Sequence, residues 1–257
     1  MKQLKELLDS FSHKVEYNYD LQNKHLYKKK AGKAKEYYQL VFDENLDEDL
    51  KVLHKMYKND IPFRIYGLHT NLYITSNGYD GLFIDVDIKN FKIKFKPETE
   101  EFRDSFLKQA NKIKTKYFVK EIVLKADYIG KEKVNKLYKA QIEHRKEALK
   151  IDYKEGNAGS FFANRHIRNH VGKAMKGLLL ENPSININVN GATFSPDGNM
   201  QFRTESNTTD KDVAKFFHHV TNKVKEIYHF DLCKYKEVNI LDRDGEIDLN
   251  TFIDRNF

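Results

Sequence analysis

Gly156-Asn157-Ala158-Gly159-Ser160-Phe161-Phe162-Ala163-Asn164 is the stretch on which the reading of this 257-residue chain turns. Its glycines and small alanines let the backbone bend sharply and pass close to a neighbour. Ser160 can donate or accept a hydrogen bond, Asn164 can read an amide or a hydroxyl, and Phe161-Phe162 can root the loop in a core. By itself a Gly/Ser loop ahead of a helix is usually a connector. Its flanks give it more weight. Upstream, 131–152 reads as a charged helix with Val134, Leu137, Ile142 and Leu149 as a sparse apolar face. Downstream come a helix over 166–180 and a hairpin from Ser184 to Arg203, turning at Ser195-Pro196-Asp197-Gly198. The helix over 210–229 is the clearest in the chain, with Val213, Phe216, Phe217, Val220, Val224 and Ile227 at helical intervals and Thr209 or Asp210 as its cap. A strand from Tyr235 to Leu241 and a weakly patterned tail follow.

Towards the amino end, 2–12 reads as a helix through Leu4, Leu7, Leu8 and Phe11. Two short strands are expected over 25–42, around Ala31-Gly32. A helix over 46–59 carries acidic residues in its first turn and ends before Pro62, because the residue ahead of proline is pushed out of helical space. Phe63–Tyr66, Leu72–Ile74 and Leu82–Ile84 read as strands separated by Gly-containing turns, which predicts a small α+β unit. Residues 98–116 are polar and read as a connector, and Tyr117–Tyr128 alternates like a strand.

Composition narrows the class. With 40% hydrophobic and 13% aromatic residues the chain is globular, and no run is long enough to span a membrane. The first ten residues read as the start of an amphipathic helix and not as a signal peptide. One cysteine, Cys233, excludes an intrachain disulfide and fits a reducing cytoplasm, and nothing around it has the spacing of a structural metal site. The formal charge of +7 permits an acidic partner. Lysines and acids are interspersed, however. Only Lys28-Lys29-Lys30 with Lys33 and Lys35 is dense, and a solvated strand edge is the favoured reading there over a nucleic-acid footprint.

Taken together and in order, several blocks resemble the UDP-N-acetylenolpyruvoylglucosamine reductase (MurB) family. The blocks are Asn59-Asp60-Ile61-Pro62 through Gly67-Leu68-His69-Thr70-Asn71-Leu72 and on to Gly78-Tyr79-Asp80-Gly81, then Phe102-Arg103-Asp104-Ser105, the Ser160 loop, Asn190-Gly191-Ala192, Asp212-Val213, and Glu237-Val238 followed by Ile240. The resemblance implies an α+β fold: a small FAD-binding-type subdomain over 1–97, a connecting segment and strand over 98–130, and a substrate-binding domain over 131–257. It also implies roles. Ser160 would protonate carbon, while Arg103 and Glu237 would stabilise an enolate-like intermediate. Asn164, with Asn157 and Gly159, would contact a nucleotide sugar, and Gly67, Thr70 and Asn71 would lie against a flavin. Residue by residue, plainer readings stand beside these: Ser160 as a helix cap, Arg103 as a surface partner of Glu101 or Asp104, Glu237 as a solvent-facing strand residue, His69 as structural.

The departures from the family pattern matter as much. Phe95 and Arg103 are separated by only seven residues, where the family has a long Gly-rich stretch that cradles the flavin pyrophosphate. His69 stands in a turn where the family has glycine, and a large side chain obstructs the close approach a pyrophosphate needs. Side chains cannot supply a hydride, so without flavin the reduction has no donor. The expectation is therefore a shortened MurB-like protein with no bound cofactor, which binds a UDP-sugar, another nucleotide or a macromolecule. A reductase with a compact FAD site is one alternative. An interaction protein encoded by a phage or mobile element, aimed at protein or nucleic acid, is the other.

Overall fold

The computed structural model describes residues 2–24, 30–67, 72–87, 93–96, 122–125, 131–149, 157–195 and 201–257. Helices and sheets of mixed parallel and antiparallel strands alternate along the chain, a mixed α+β architecture. Contacts group the residues into two units, one of 1–40, 44–86 and 151–257, the other of 41–43 and 87–150. This grouping cuts the chain differently from the three-part division expected from sequence.

The larger unit begins with α1 (Lys2–Leu8), β1 (Glu16–Asp20), β2 (Lys33–Val41), α2 (Leu46–Lys58), β3 (Phe63–Tyr66), β4 (Leu72–Ile74) and β5 (Tyr79–Asp87). A four-stranded sheet has the order β1-β2-β5-β3, with β1 antiparallel to β2 and β3 parallel to β5. The partner of β2 thus lies at Glu16–Asp20, ahead of the expected region, of which 25–29 fall outside the described residues. The strand β1 is an exposed edge with little apolar signal, held in place by Tyr19 stacking on Tyr37 at 3.9 Å. The helix α2 follows expectation: Asp47, Glu48 and Asp49 face its positive end, Lys55 and Lys58 its negative end, and Leu46, Val52, Leu53 and Met56 are buried.

The three-residue β4 leaves its sequence neighbours. It pairs in parallel with β11 (Asn239–Asp242), which is itself antiparallel to β12 (Gly245–Ile247). Period-two alternation sends Tyr73 and Ile240 into one apolar cluster and Leu72, Ile74 and Leu241 into another. A strand from the amino-terminal half is thereby built into a sheet from the carboxyl-terminal half.

The rest of this unit contains β8 (Asn157–Ser160), α4 (Asn164–Val171), α5 (Met175–Glu181), β9 (Thr193–Phe194), β10 (Gln201–Arg203), α6 (Asp210–Tyr228) and α7 (Leu249–Asn256). The single helix expected over 166–180 is two, because Gly172 ends the first in a left-handed conformation (φ 78°). The expected hairpin is shorter, with Phe194 opposite Phe202, and its turn at 196–200 lies outside the described residues. The expected strand from Tyr235 begins only at Asn239, because Leu232–Tyr235 forms a 3-10 turn. The weakly patterned tail forms β12 and α7, whose start is capped by Asp248 accepting from the Thr251 N–H at 3.0 Å. The helix α6 is held by a reciprocal Thr209–Asp212 capping box.

Around α6 lies the principal core. Phe161, Phe162, Phe194, Phe202, Phe216 and Phe217 are all buried within it. Phe161 and Phe217 have ring centroids 3.9 Å apart, and edge-on contacts join Phe162 to Phe194 and Phe194 to Phe216. The smaller unit contains the parallel pair β6 (Ile93–Lys96) and β7 (Ile122–Lys125) and the helix α3 (Lys131–Leu149), which exposes Leu137 and Tyr138. Among the described residues no helix is long and apolar enough to cross a membrane.

Candidate functional site

Phe161 and Phe162, buried completely, fix the backbone immediately after Ser160. Beyond them the chain runs along the segment that precedes β11. The Ala163 N–H donates to the Tyr235 carbonyl at 2.7 Å, Phe162 forms a bridge with Lys236, and the Glu237 N–H donates to the Phe161 carbonyl at 2.9 Å. These ties form a seam that brings the Ser160 loop and Glu237 into one neighbourhood. Glu237 is exposed and lies between the 3-10 turn and β11, so it is not the strand residue expected from its flanks.

Ser160 is half-buried at the end of β8 and pairs with Gln201 of β10. On the other side of β10, the Ser195 N–H donates to the Gln201 carbonyl at 3.0 Å. Ser160, Gln201 and Ser195 are therefore a cross-strand row, and directly opposed side chains share a face. Because alternation sends Phe194 and Phe202 into the core, this row looks the other way. Gln201 and Ser195 are 9% and 2% exposed, yet Gln201 Oε1 and Ser195 Oγ have no hydrogen-bond partner among the described residues. Buried polar atoms normally have a partner, and leaving one without costs roughly 1–3 kcal/mol. Two such atoms, an amide oxygen and a hydroxyl, thus lie in register with Ser160 with hydrogen-bonding capacity unused.

Sequence reading missed both residues. Ser195 entered only as the start of the Ser195-Pro196-Asp197-Gly198 turn and Gln201 carries no motif, so only the strand register puts them next to Ser160. Lys236, also unremarked, is half-buried on the seam and donates from Nζ to the Val238 carbonyl at 3.1 Å. Burial pushes its ammonium below the usual lysine range, with Glu246 and Asp248 partly opposing the shift.

The remaining expected site residues are distributed as follows. Asn164 opens α4, and its Oδ1 accepts from the Met175 N–H at 3.2 Å, so this amide joins α4 to the start of α5. Ser160 does not cap α4; the cap position is Ala163. Asn157 and Gly159 lie on β8, with Asn157 opposite Arg203 across an irregularity in the ladder. Arg103, Thr70, Asn71 and His69 lie outside the described residues. Gly67 follows β3, with nothing within 4 Å of where a Cβ would stand.

The other glycines of that block are occupied by the protein itself. A Cβ on Gly78 would stand 2.1 Å from the Lys33 carbonyl oxygen, and one on Gly32 would stand 2.1 Å from the Gly78 nitrogen. The two backbones fill each other's space. Gly81 is covered in the same way by the Tyr79 ring, 2.6 Å from its Cβ position. Neither Gly78 nor Gly81 presents an open backbone concavity of the kind that receives a pyrophosphate. Among the described residues no group of His, Cys, Asp and Glu is arranged to hold a metal ion. Cys233 is half-buried, with its thiol pushed up by burial, which disfavours the reactive thiolate.

No protein-family model matches the chain, and no curated protein matches it. Its fold is similar to that of a solved structure, the crystal structure of UDP-N-acetylenolpyruvylglucosamine reductase (MurB) from Thermus caldophilus. The TM-score is 0.54 at 13% identity, with 88% of this chain and 98% of that one covered. The likeness is one of fold.

Proposed function

We propose that this MurB-like chain binds a nucleotide sugar, of the UDP-N-acetylhexosamine type, on the polar face formed by Ser160, Gln201 and Ser195, and that it does so without flavin. The observation behind this reading is the pair of buried, unpartnered atoms, Gln201 Oε1 and Ser195 Oγ, in register with Ser160. A sugar or uracil offers the hydroxyl, amide and carbonyl groups that would satisfy them. The seam to Glu237 holds the loop, so little ordering cost would fall on the ligand.

The flavin-free half of the reading is supported by the filled glycine turn at Gly32 and Gly78 and by the short Phe95–Arg103 spacing. With no hydride donor, Ser160 acts as a binding hydroxyl. Titration calorimetry with UDP-N-acetylglucosamine, UDP and uridine tests the ligand half. Binding weakened about tenfold in Gln201→Ala is expected, as for loss of one buried hydrogen bond of about 1.4 kcal/mol. Heat-free titrations with all three would remove this half. A purified protein that is yellow and retains stoichiometric FAD would remove the other half and reinstate a compact reductase.

A further inference from the structure

Between Asn157 and Leu180 the chain contains no Asp or Glu, but it contains Arg165, Arg168, Lys173 and Lys176. The helix α4 takes two of these cations. Its inner face is Ile167, completely buried, flanked by Asn164 and Val171. Its outer arc presents Arg165, His166, Arg168, Asn169 and His170, all exposed. Arg165 and Arg168 are three positions apart and therefore neighbours on the helix surface. Neither guanidinium forms an ion pair or side-chain hydrogen bond with the described residues, and Lys176 on α5 likewise has none. Lys173, by contrast, is paired with Glu181 at 2.5 Å. Arg165 and Arg168, adjacent on one helix surface with no intervening acid, form a local positive field.

The other flank of the same arc is aromatic. Phe230 is buried and stacks on half-buried Tyr235 at 4.9 Å with an interplanar angle of 14°. Tyr235 in turn stacks with exposed His166 at 5.4 Å, and His170 lies 5.5 Å from Tyr235 and 5.3 Å from Phe230. A series of rings thus runs from the core to solvent and ends in imidazoles backed by packed aromatics. The seam from Phe161 to Glu237 fixes Tyr235 in place for this.

We infer that this face of α4 is a docking surface for single-stranded nucleic acid, with Arg165 and Arg168 on the phosphates and the His166–Tyr235 stack receiving a base. Charge complementarity identifies the anion, and the flat rings beside it select nucleic acid over other polyanions: phosphate tracks with adjacent stacking platforms are how sequence-tolerant single-strand binders work. The inference is independent of the nucleotide-sugar reading, since none of these residues belongs to the Ser160 row.

The test is fluorescence anisotropy of the full chain with labelled oligo(dT) and oligo(rU), across a salt series. The wild type is expected to bind with affinity falling as salt rises. The double reversal Arg165→Glu/Arg168→Glu should weaken binding at least tenfold and reduce the salt slope by about 1.4, since each single-strand phosphate contact contributes about 0.7. His166→Ala should weaken binding several-fold and leave the salt slope unchanged. The matched reversal Lys55→Glu/Lys58→Glu, on the exposed end of α2, changes net charge equally and should have little effect. Equal weakening by both reversals would mean diffuse attraction and would overturn the inference. So would absence of oligonucleotide binding at low salt, or tighter binding of phosphatidylglycerol vesicles or polyglutamate than of either oligonucleotide.

Discussion

The Glu237 N–H donates to the Phe161 carbonyl at 2.9 Å, joining two residues 76 positions apart beside Ser160. The contact belongs to the backbone, so it survives most substitutions and is abolished by one. Glu237→Pro removes the donor, and Lys236 ahead of it already has the extended conformation (φ −69°, ψ 140°) that a following proline requires. The variant should lose about 1–3 kcal/mol in urea unfolding, because the buried Phe161 carbonyl loses its partner. Glu237→Ala keeps the N–H and should be clearly milder. Equal losses would show that the side chain, and not the seam, matters at this position.

Gly78 and Gly172 have nearly the same backbone, φ 75° and 78°, in opposite surroundings. A methyl on Gly172 meets nothing within 4 Å, so Gly172→Ala should cost only the left-handed strain, about 1–2 kcal/mol. A methyl on Gly78 meets the Lys33 backbone at 2.1 Å and adds a clash with main chain that cannot rotate away. Gly78→Ala should be destabilised by at least about 2 kcal/mol more than Gly172→Ala in thermal or denaturant melts. Comparable melting temperatures would refute the close packing of Gly32 on Gly78.

What was legible in the sequence follows from how local each signal is. The helices α2 and α6 are written in their own residues, through caps, end charges and apolar spacing, and both match their expected spans closely. The rooting of the Ser160 loop by Phe161 and Phe162 was legible too, since two adjacent phenylalanines have few other places to go. The pairing of β4 with β11 was not. Leu72-Tyr73-Ile74 has a strand's composition, but nothing in three residues says which of several edges it will join. The Ser160–Gln201–Ser195 row was hidden for the same reason: it exists only once three short strands adopt their register. The helix α7 was missed because its cap, Asp248, directly follows the end of β12, with no Gly or Pro between strand and helix to announce it.

Glu36 gives a pH dependence of definite sign. It is 6% exposed on β2, and burial raises its carboxyl above the ordinary range, with Lys35 opposing and Asp80 adding to the shift. A raised carboxylate pKa means that the folded state holds the proton more tightly than the unfolded chain. Ionised Glu36 therefore costs stability above its folded pKa, and the cost disappears as pH falls through that value. Glu36→Gln should stabilise the protein at pH 7 by on the order of 1 kcal/mol, with the advantage shrinking as pH falls through the raised folded value. A gain that persists unchanged at low pH would place its origin elsewhere than in the charge.

Asp210 and Asp242 hold the turn after β4 from two sides, and this explains how so short a strand stays in its sheet. Asp210, on the first turn of α6, accepts from the Tyr73 hydroxyl at 2.8 Å, from the Ser76 N–H at 2.7 Å and from the Ser76 hydroxyl. Asp242, at the end of β11, accepts from Thr75 Oγ1 at 2.7 Å, Asn77 Nδ2 at 3.0 Å and Arg255 at 2.6 Å. Burial alone would raise the Asp242 carboxyl, but the donors from Thr75, Asn77, the Arg243 backbone and Arg255 outweigh it and hold the group below the usual range. A depressed carboxylate contributes stability above the unfolded value of about 3.9 and loses it as pH falls through the folded value. Asp242→Asn should therefore cost about 2–3 kcal/mol at pH 7 and progressively less as pH falls through the folded value, flattening the acid limb of the stability profile. Asp210→Ala should cost a similar amount at pH 7 by removing the carboxylate that accepts from the buried Tyr73 hydroxyl and from Ser76, and Tyr73→Phe in that background should recover part of the loss. Absence of that recovery would mean that Asp210 acts through the start of α6 alone and not as the link from α6 to β4.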